Sequence, residues 1–353
     1  MRKGKRLIAW IMAVVMLFTI CVFGGNGTAE AAATTPVAKH GRLSVKGADL
    51  VDSKGNKFQL RGISTHGINW DVGSPYVNKK AFKTFRDDWG VNAIRLAMYT
   101  EEYNGYCSGG SQAKLRKLVD KGVGYATDLG MYAIIDWHIL SDGNPNKNKS
   151  QAKKFFTTMA KKYKNNKNVI YEICNEPNGC GWKEIKSYAT DIIKTIRKYD
   201  KKAVIIVGTP TWSQLGTDGT SNEVADSPIK GYKNIMYSLH FYASEWAHNE
   251  YLPAKVAYAR KKKLPIIVSE FGLSPASGDG AINKASADKW MKLLNKYNIS
   301  YFCWSLSNKN ESASLLKPST KKTSGWKSGD LSTAGKYIKK KYLARKKALG
   351  KKA

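Results

Sequence analysis

VIYEICNEP, residues 169–177, is a short apolar run rich in β-branched and aromatic residues that ends on an asparagine, a glutamate and a proline. It reads as a strand buried on both faces, of the kind found in parallel sheets. Seven further runs share its character: FQLRGISTHG (58–67), AIRLAMY (93–99), YAIIDWH (132–138), VIIVGT (204–209), NIMYSLHFY (234–242), PIIVSEFG (265–272) and YFCWSLSN (301–308). Longer, Lys-rich amphipathic segments separate them. NKKAFKTFRDDWG places Phe82, Phe85 and Trp89 at helical spacing, and Gly90 is suited to end that helix. SQAKKFFTTMAKKYKNN repeats the pattern with Phe155, Met159 and Tyr163, and SADKWMKLLNKYN repeats it again, with Ser286 and Asp288 as candidate caps. The segment after the fifth run is polar and irregular, so its helix is the least defined.

Eight strands, each followed by a helix, predict an α/β protein built as a single (β/α)8 TIM barrel. The 353 residues leave room for one such domain, expected over residues 34–353. No Pro/Ser/Thr-rich linker, fixed-period repeat or second membrane-length apolar stretch interrupts it. Ahead of the first run, HGRLSVKGADLVDSKGNKF alternates as a β-hairpin, with Lys54-Gly55-Asn56 as its turn, and is expected to cover one barrel end.

The chain opens MRKGKR, continues through the apolar stretch Leu7–Phe23 and reaches small residues near Ala31–Ala33. These are the parts of a secretory signal peptide, expected over residues 1–33, and they predict a secreted, extracellular protein with no membrane partner once the leader is removed. An uncleaved anchor is the alternative. Lys+Arg 59 against Asp+Glu 27 gives a net charge of +32. Most of that excess is spread over presumed helix surfaces such as Lys153, Lys154, Lys161, Lys162 and Lys164. Its densest cluster is a basic C-terminal helix or tail, residues 335–353, for which weak association with anionic surfaces such as a cell wall is one reading. Nucleic acid is not an expected partner, because no recognition motif accompanies the charge. Besides Cys21 in the leader, the cysteines are Cys107, Cys174, Cys180 and Cys303, too few and too scattered for a disulfide scaffold or a zinc site. One bridge in an exported protein remains open. A monomer is the default expectation.

In a barrel of this kind the site lies at the C-terminal ends of the strands. The runs deliver His66, Arg95, Asp136 with His138, Asn175 with Glu176, His240 with Tyr242, Glu270, and Trp304 to that face. There is no phosphate loop and no dense carboxylate/His cluster, so no metal and no cofactor is expected. Two carboxyl groups with aromatic planes and hydrogen-bonding groups are what glycoside cleavage requires. One carboxyl must stay protonated to donate to the leaving oxygen, and the other must be ionised to attack or to activate water. Strands four and seven lie three apart around the barrel, so Glu176 and Glu270 should face each other across its mouth.

The chain resembles glycoside hydrolase family five, in its bacterial endoglucanase branch. The resemblance rests on GISTHGINW, AIRLAMY, IIDWH, NVIYEICNEPNG, IIVGTPTWSQ, NIMYSLHFY, LPIIVSEFG and WSLSNKNES, spread over residues 58 to about 318. It implies a retaining endo-β-1,4-glucanase acting on cellulose and related β-glucans, with Glu176 as acid/base and Glu270 as nucleophile about 5 Å apart. It further implies that Asn175 bonds the sugar 2-hydroxyl, that Tyr242 and Arg95 hold Glu270, and that His240 sets the proton of Glu176. His66 and His138 are implied on the glycone side, Trp304 as a stacking floor, and Trp70, Tyr99, Trp212, Lys309 and Glu311 along the cleft. Each has a plainer reading: satisfied core histidines, loop packing for Trp70 and Trp212, a solvated pair for Lys309 and Glu311, a structural role for Asp136. Asn69 stands where the family usually has Gln, Cys174 where a smaller residue is common, and Asn308 where Asp is frequent. Mixed-linkage glucan, xyloglucan or mannan are rival substrates. A non-catalytic carbohydrate- or wall-binding protein is the rival from another class.

Overall fold

A computed structural model describes residues 35–350. The leader read over residues 1–33, and Cys21 with it, lies outside the described residues. Eight parallel strands close into a barrel: β1 Arg61–Thr65, β2 Ala93–Tyr99, β3 Tyr132–His138, β4 Val169–Glu172, β5 Ile205–Val207, β6 Ile235–Tyr242, β7 Ile266–Gly272 and β8 Tyr301–Leu306. They neighbour one another in sequence order, with β8 returning to β1. Every residue of every barrel strand is buried. One strand face meets the barrel interior and the other meets the helices, which is why the runs read as continuous rather than alternating apolar sequence.

The helices follow the strands one for one: α1 Lys79–Thr84, α2 Gln112–Asp128, α3 Lys149–Tyr163, α4 Trp182–Arg197, α5 Glu223–Asp226, α6 Trp246–Lys261, α7 Lys284–Tyr297 and α8 Thr333–Gly350. α1 runs on as a π-helical turn, Phe85–Trp89, which Gly90 stops at φ 75° in the left-handed region. The polar segment after β5 makes a short irregular turn, Pro210–Ser213, and then the single turn of α5. α7 differs from its expected start. Asn283 caps it by accepting from the Ser286 amide, while Asp288 reaches across to Tyr337 and Lys341 on α8. The basic C-terminal segment is the eighth barrel helix rather than a tail, since Tyr337, Ile338 and Tyr342 are buried and the Tyr342 hydroxyl donates to the Gly62 carbonyl at 2.9 Å.

The N-terminal hairpin pairs Ser44–Lys46 with Asp49–Val51, so its turn is Gly47–Ala48. Lys54-Gly55-Asn56 forms a second turn, as expected, with Val51 bridging Lys57 antiparallel across it. The Asp52 carboxylate accepts from the Lys54 and Asn56 amides, each at 2.9 Å, and so closes this turn. Leu43, Leu50 and Phe58 from this region pack with Tyr132, Ile134, Ile170, Ile206, Met236, Ile267 and Phe302 inside the barrel, plugging its N-terminal end. Side chains two residues further along the same strands, Asp136 after Ile134 and Glu172 after Ile170, stand one layer nearer the open end. The apolar plug thus forces the polar layer to the mouth. Cys107, Cys174, Cys180 and Cys303 are all free thiols. Among the described residues no helix is long and apolar enough to cross a membrane.

Candidate active site

Arg95, on β2, is wholly buried at the centre of the polar layer. Its Nε donates to Glu172 Oε2 at 2.7 Å, Nη1 to Glu270 Oε2 at 3.0 Å and Nη2 to Asn175 Oδ1 at 2.6 Å, and Nη2 also pairs with Asp136 Oδ2 at 3.0 Å. Burial works against its charge, but the surrounding Asp136, Glu172 and Glu270 carboxylates hold its pKa above the ordinary value. Glu172 sits in the middle of an apolar run and was not among the residues singled out from sequence. A glutamate inside a strand buried on both faces must find a cation, and that was the available signal.

Glu270 is fixed from two sides. Tyr242 donates its hydroxyl to Oε1 at 2.7 Å and Arg95 holds Oε2. Its orientation depends on an irregularity in β7. Ser238 pairs with Ile267 and His240 with Glu270, while on the other side Tyr301 pairs with Val268 and Cys303 with Phe271, so both neighbours register one extra residue in β7. A bulge of this kind re-aims a side chain. It brings Ser269 and Glu270, adjacent in sequence, both to polar partners in the barrel interior.

Glu176 lies four residues beyond the last paired residue of β4, with its side chain 13% exposed into the cleft. His240 Nδ1 contacts its Oε1 at 2.8 Å. From there a hydrogen-bond chain leads inward: His240 Nε2 to Ser269 Oγ at 2.8 Å, Ser269 Oγ to Ser238 Oγ at 2.9 Å, and Ser238 Oγ donating to Glu172 Oε1 at 3.2 Å. Burial pushes the Glu176 carboxyl up to about 8; Arg95 opposes the rise, while Asp136 and Glu172 add to it. Burial lowers His240 to about 4, so the imidazole is neutral at the pH where Glu176 is protonated. Asn175 Oδ1 accepts from Arg95, while its Nδ2 approaches His138 Nε2 at 3.2 Å and donates to the Ile139 carbonyl at 3.1 Å. His138 Nδ1 lies 2.6 Å from Asp136 Oδ2. Burial raises Asp136 to about 7, and burial with the Arg95 charge lowers His138 to about 3. Asp136 is therefore an anchor for Arg95 and His138.

The mouth above these groups is a cleft of about 620 Å³. His66, Trp70, Tyr99, His138, Glu176, Trp212, His240, Tyr242, Glu270, Trp304, Lys309 and Glu311 all line it, and Arg95 and Asn175 lie beneath. Its aromatic wall is continuous. His138 stacks on Trp304 with centroids 5.2 Å apart, Tyr99 meets His138 at 4.2 Å, Trp70 meets Tyr99 at 4.6 Å, and His66 meets Trp304 at 5.1 Å. Asn69 secures this wall by accepting from the Tyr99 amide at 2.9 Å and donating to the Tyr99 and Asn104 carbonyls, while Trp70 Nε1 donates to the Tyr103 carbonyl at 2.7 Å. Trp212 stands apart, 47% exposed, on a loop where Thr211, Trp212 and Ser213 all have positive φ. Lys309 and Glu311 are paired, but Glu311 is nearly buried, with Oε1 3.7 Å from His66 Nε2, so it is no solvated surface acid. Glu102, Gln214 and Glu245 also border the cleft; they lie in loops whose course no strand pattern announces.

One oxygen of Glu176, one of Glu270 and one His240 ring nitrogen lie within 4.8 Å of one another, near enough to share a cation. Their other contacts suit protons better. Glu270 accepts from Arg95 and Tyr242, both His240 nitrogens have partners, and the guanidinium 3.0 Å from Glu270 repels a second positive charge.

A carboxyl held protonated by burial, facing a carboxylate held by a guanidinium and a tyrosine at the open end of a (β/α)8 barrel, is the equipment of a glycoside hydrolase. A family model, Cellulase (glycosyl hydrolase family 5), matches residues 51–310. An endoglucanase of Clostridium saccharobutylicum is 47% identical over 341 residues, which cover 95% of this chain and 72% of that protein. Endoglucanase A of Butyrivibrio fibrisolvens is 45% identical over 303 residues, 85% of this chain and 68% of that one. The crystal structure of the catalytic domain of Thermobifida fusca endoglucanase Cel5A superimposes with a TM-score of 0.81 at 36% identity, covering 88% of this chain and 99% of that domain, and a variant of that domain has been solved with cellotetraose. The chain belongs to glycosyl hydrolase family 5, the cellulase family.

Proposed function

We propose that the protein is a secreted endo-β-1,4-glucanase that cleaves internal bonds of cellulose and related β-glucans with retention of configuration. The observation that carries this reading is the pair itself: oxygens of Glu176 and Glu270 within 4.8 Å, with Glu176 raised to about 8. Retaining enzymes hold their carboxyls about 5–5.5 Å apart, whereas inverting ones need a wider gap for water. In the first step Glu270 attacks the anomeric carbon as Glu176 gives its proton to the departing oxygen. A covalent glycosyl-enzyme results. Water then adds as Glu176, now ionised, takes its proton, and the C–O bond to Glu270 breaks. Asn175, oriented by Arg95, bonds the sugar 2-hydroxyl, and the wall of Trp304, His138, Tyr99 and Trp70 receives the sugar faces. The leader-like N-terminus supports export. The endoglucanase relatives and the cellotetraose-bound neighbour support an unsubstituted β-1,4-glucan as the substrate.

Initial rates on carboxymethylcellulose, mixed-linkage β-glucan, xyloglucan and mannan test the substrate. The highest kcat/KM is expected on a β-1,4-glucan, and a preference for mannan would overturn that choice. Proton NMR of the first product anomer tests the stereochemistry, with the β-anomer expected.

A further inference from the structure

The opposite end of the barrel holds a second cleft, of about 530 Å³, that the hydrolytic site does not use. Arg61 at the start of β1, Arg86 and Asp87 on the π turn after α1, and Lys346 on α8 line it, together with the backbone that leads into β2. Arg61 is only 8% exposed. Its Nε donates to the Gly90 carbonyl at 3.2 Å, while its two terminal nitrogens make no hydrogen bond or ion pair with a described residue and open onto the cleft. Buried arginines nearly always meet an acceptor of matching charge. Among the described residues the one carboxylate lining the cleft does not serve, because Asp87 gives one oxygen to Arg86 and the other to Lys83. Lys346 has no ion pair among the described residues and is exposed at the rim. Burial, and then the nearby Arg345 charge, press the pKa of Arg61 below its usual value, against the pull of Tyr301 and Tyr342.

We propose that this basal cleft is a binding site for phosphate groups. A guanidinium fork matches the oxygens of phosphate in two parallel hydrogen bonds, and several converging cations favour an ion of high charge and many acceptors. The space exceeds what a single phosphate fills, and the chain carries a net charge of +32, so a phosphodiester polymer suits the site as well as free phosphate does. Because the cleft lies at the N-terminal ends of the strands, a bound polymer leaves the hydrolytic mouth open. It also gives the basic segment at 335–353 a specific contact instead of a diffuse one.

Calorimetric titration of the full chain with inorganic phosphate and with poly(glycerol phosphate), at low and high salt, tests the site. Wild-type protein is expected to bind, more weakly as salt rises. Lys346→Glu is expected to weaken binding about tenfold, in line with loss of a charge-assisted contact. Lys153→Glu, the same charge change on the exposed side of α3, should leave it within about twofold. Arg61→Gln, scored only after its Tm shows a folded protein, should abolish binding. Tighter binding of the polymer per phosphate assigns the cleft to a polymeric ligand; equal binding assigns it to free phosphate. Equal weakening by Lys153→Glu and Lys346→Glu would reduce the effect to net charge and overturn the proposal, as would absence of binding by both probes. Turnover on a soluble β-glucan should be the same for Lys346→Glu and wild type.

Discussion

Glu176 and Glu270 are the same side chain in two environments, and the environments assign their parts. Glu176 sits beyond its strand without a cation of its own and rises to about 8, whereas Glu270 meets a guanidinium at 3.0 Å and a tyrosine hydroxyl at 2.7 Å. In the proposed mechanism, replacing either by Gln removes a proton donor or a nucleophile while keeping the shape. Each is expected to lower kcat on carboxymethylcellulose about a thousandfold or more. On an aryl glycoside whose leaving group needs no protonation, Glu176→Gln should retain most of its first step, while Glu270→Gln should not. As the proposed acid, Glu176 would donate only while protonated, so kcat/KM should fall as pH rises past about 8. That alkaline limb should vanish in Glu176→Gln, and a pH–rate profile of both proteins checks it.

Among the elements, two strand tips carry the geometry. The loop after β5 presses on the segment bearing Asn175 and Glu176: a Cβ added at Gly208 would stand 2.4 Å from the Cys174 carbonyl oxygen and 2.8 Å from Pro177 Cδ. Gly208→Ala is therefore expected to cost about 1–3 kcal/mol of stability and to lower kcat by moving Glu176, with a chemical-denaturation curve and turnover measured together. β7 shows what the pattern conceals. PIIVSEFG reads as an uninterrupted strand, in which Ser269 and Glu270 should point to opposite faces. The extra residue that both neighbouring strands register turns them to the same interior. Ser269, Ser238 and Glu172 escaped notice because their roles arise from this re-aiming and from contacts across strands. At α8, Tyr342 is fully buried with its hydroxyl on the Gly62 carbonyl, so Tyr342→Ala should cost about 3–5 kcal/mol, read as a lower Tm. Removing residues 335–353 takes away a barrel helix, not a tail, so charge reversal on its exposed face is the cleaner probe of the basic surface.

For the whole molecule, the site is a liability to the fold. Glu176, raised to about 8, holds in the folded chain a proton that the unfolded chain releases near pH 4. Over that interval the folded state binds more protons, so stability falls as pH rises. The contribution is intact below the unfolded value and lost by the time pH passes the folded one. Glu176→Gln removes the ionising group, and its Tm should exceed that of wild type by about 2 °C or more at pH 8, with the gap closing toward pH 4. Thermal melts across that range check the slope.

Much of the molecule was already legible in one dimension. The eight continuous apolar runs dictated the barrel, because a strand covered on both faces has no room for alternation. Strand-end positions led to Glu176, Glu270, Arg95, Asn175, His240 and Tyr242, because a parallel barrel presents one end of all its strands together. Tertiary structure alone decided which carboxylates Arg95 gathers, the bulge that turns Glu270 inward, and the hydrogen-bond chain from Glu176 to Glu172. It also decided that the basic C-terminal segment is a docked helix beside a buried arginine with no ion pair among the described residues. Those features depend on side chains remote in sequence meeting in a low-dielectric interior, where a charge must find its partner in space, and no local pattern records which partner that will be.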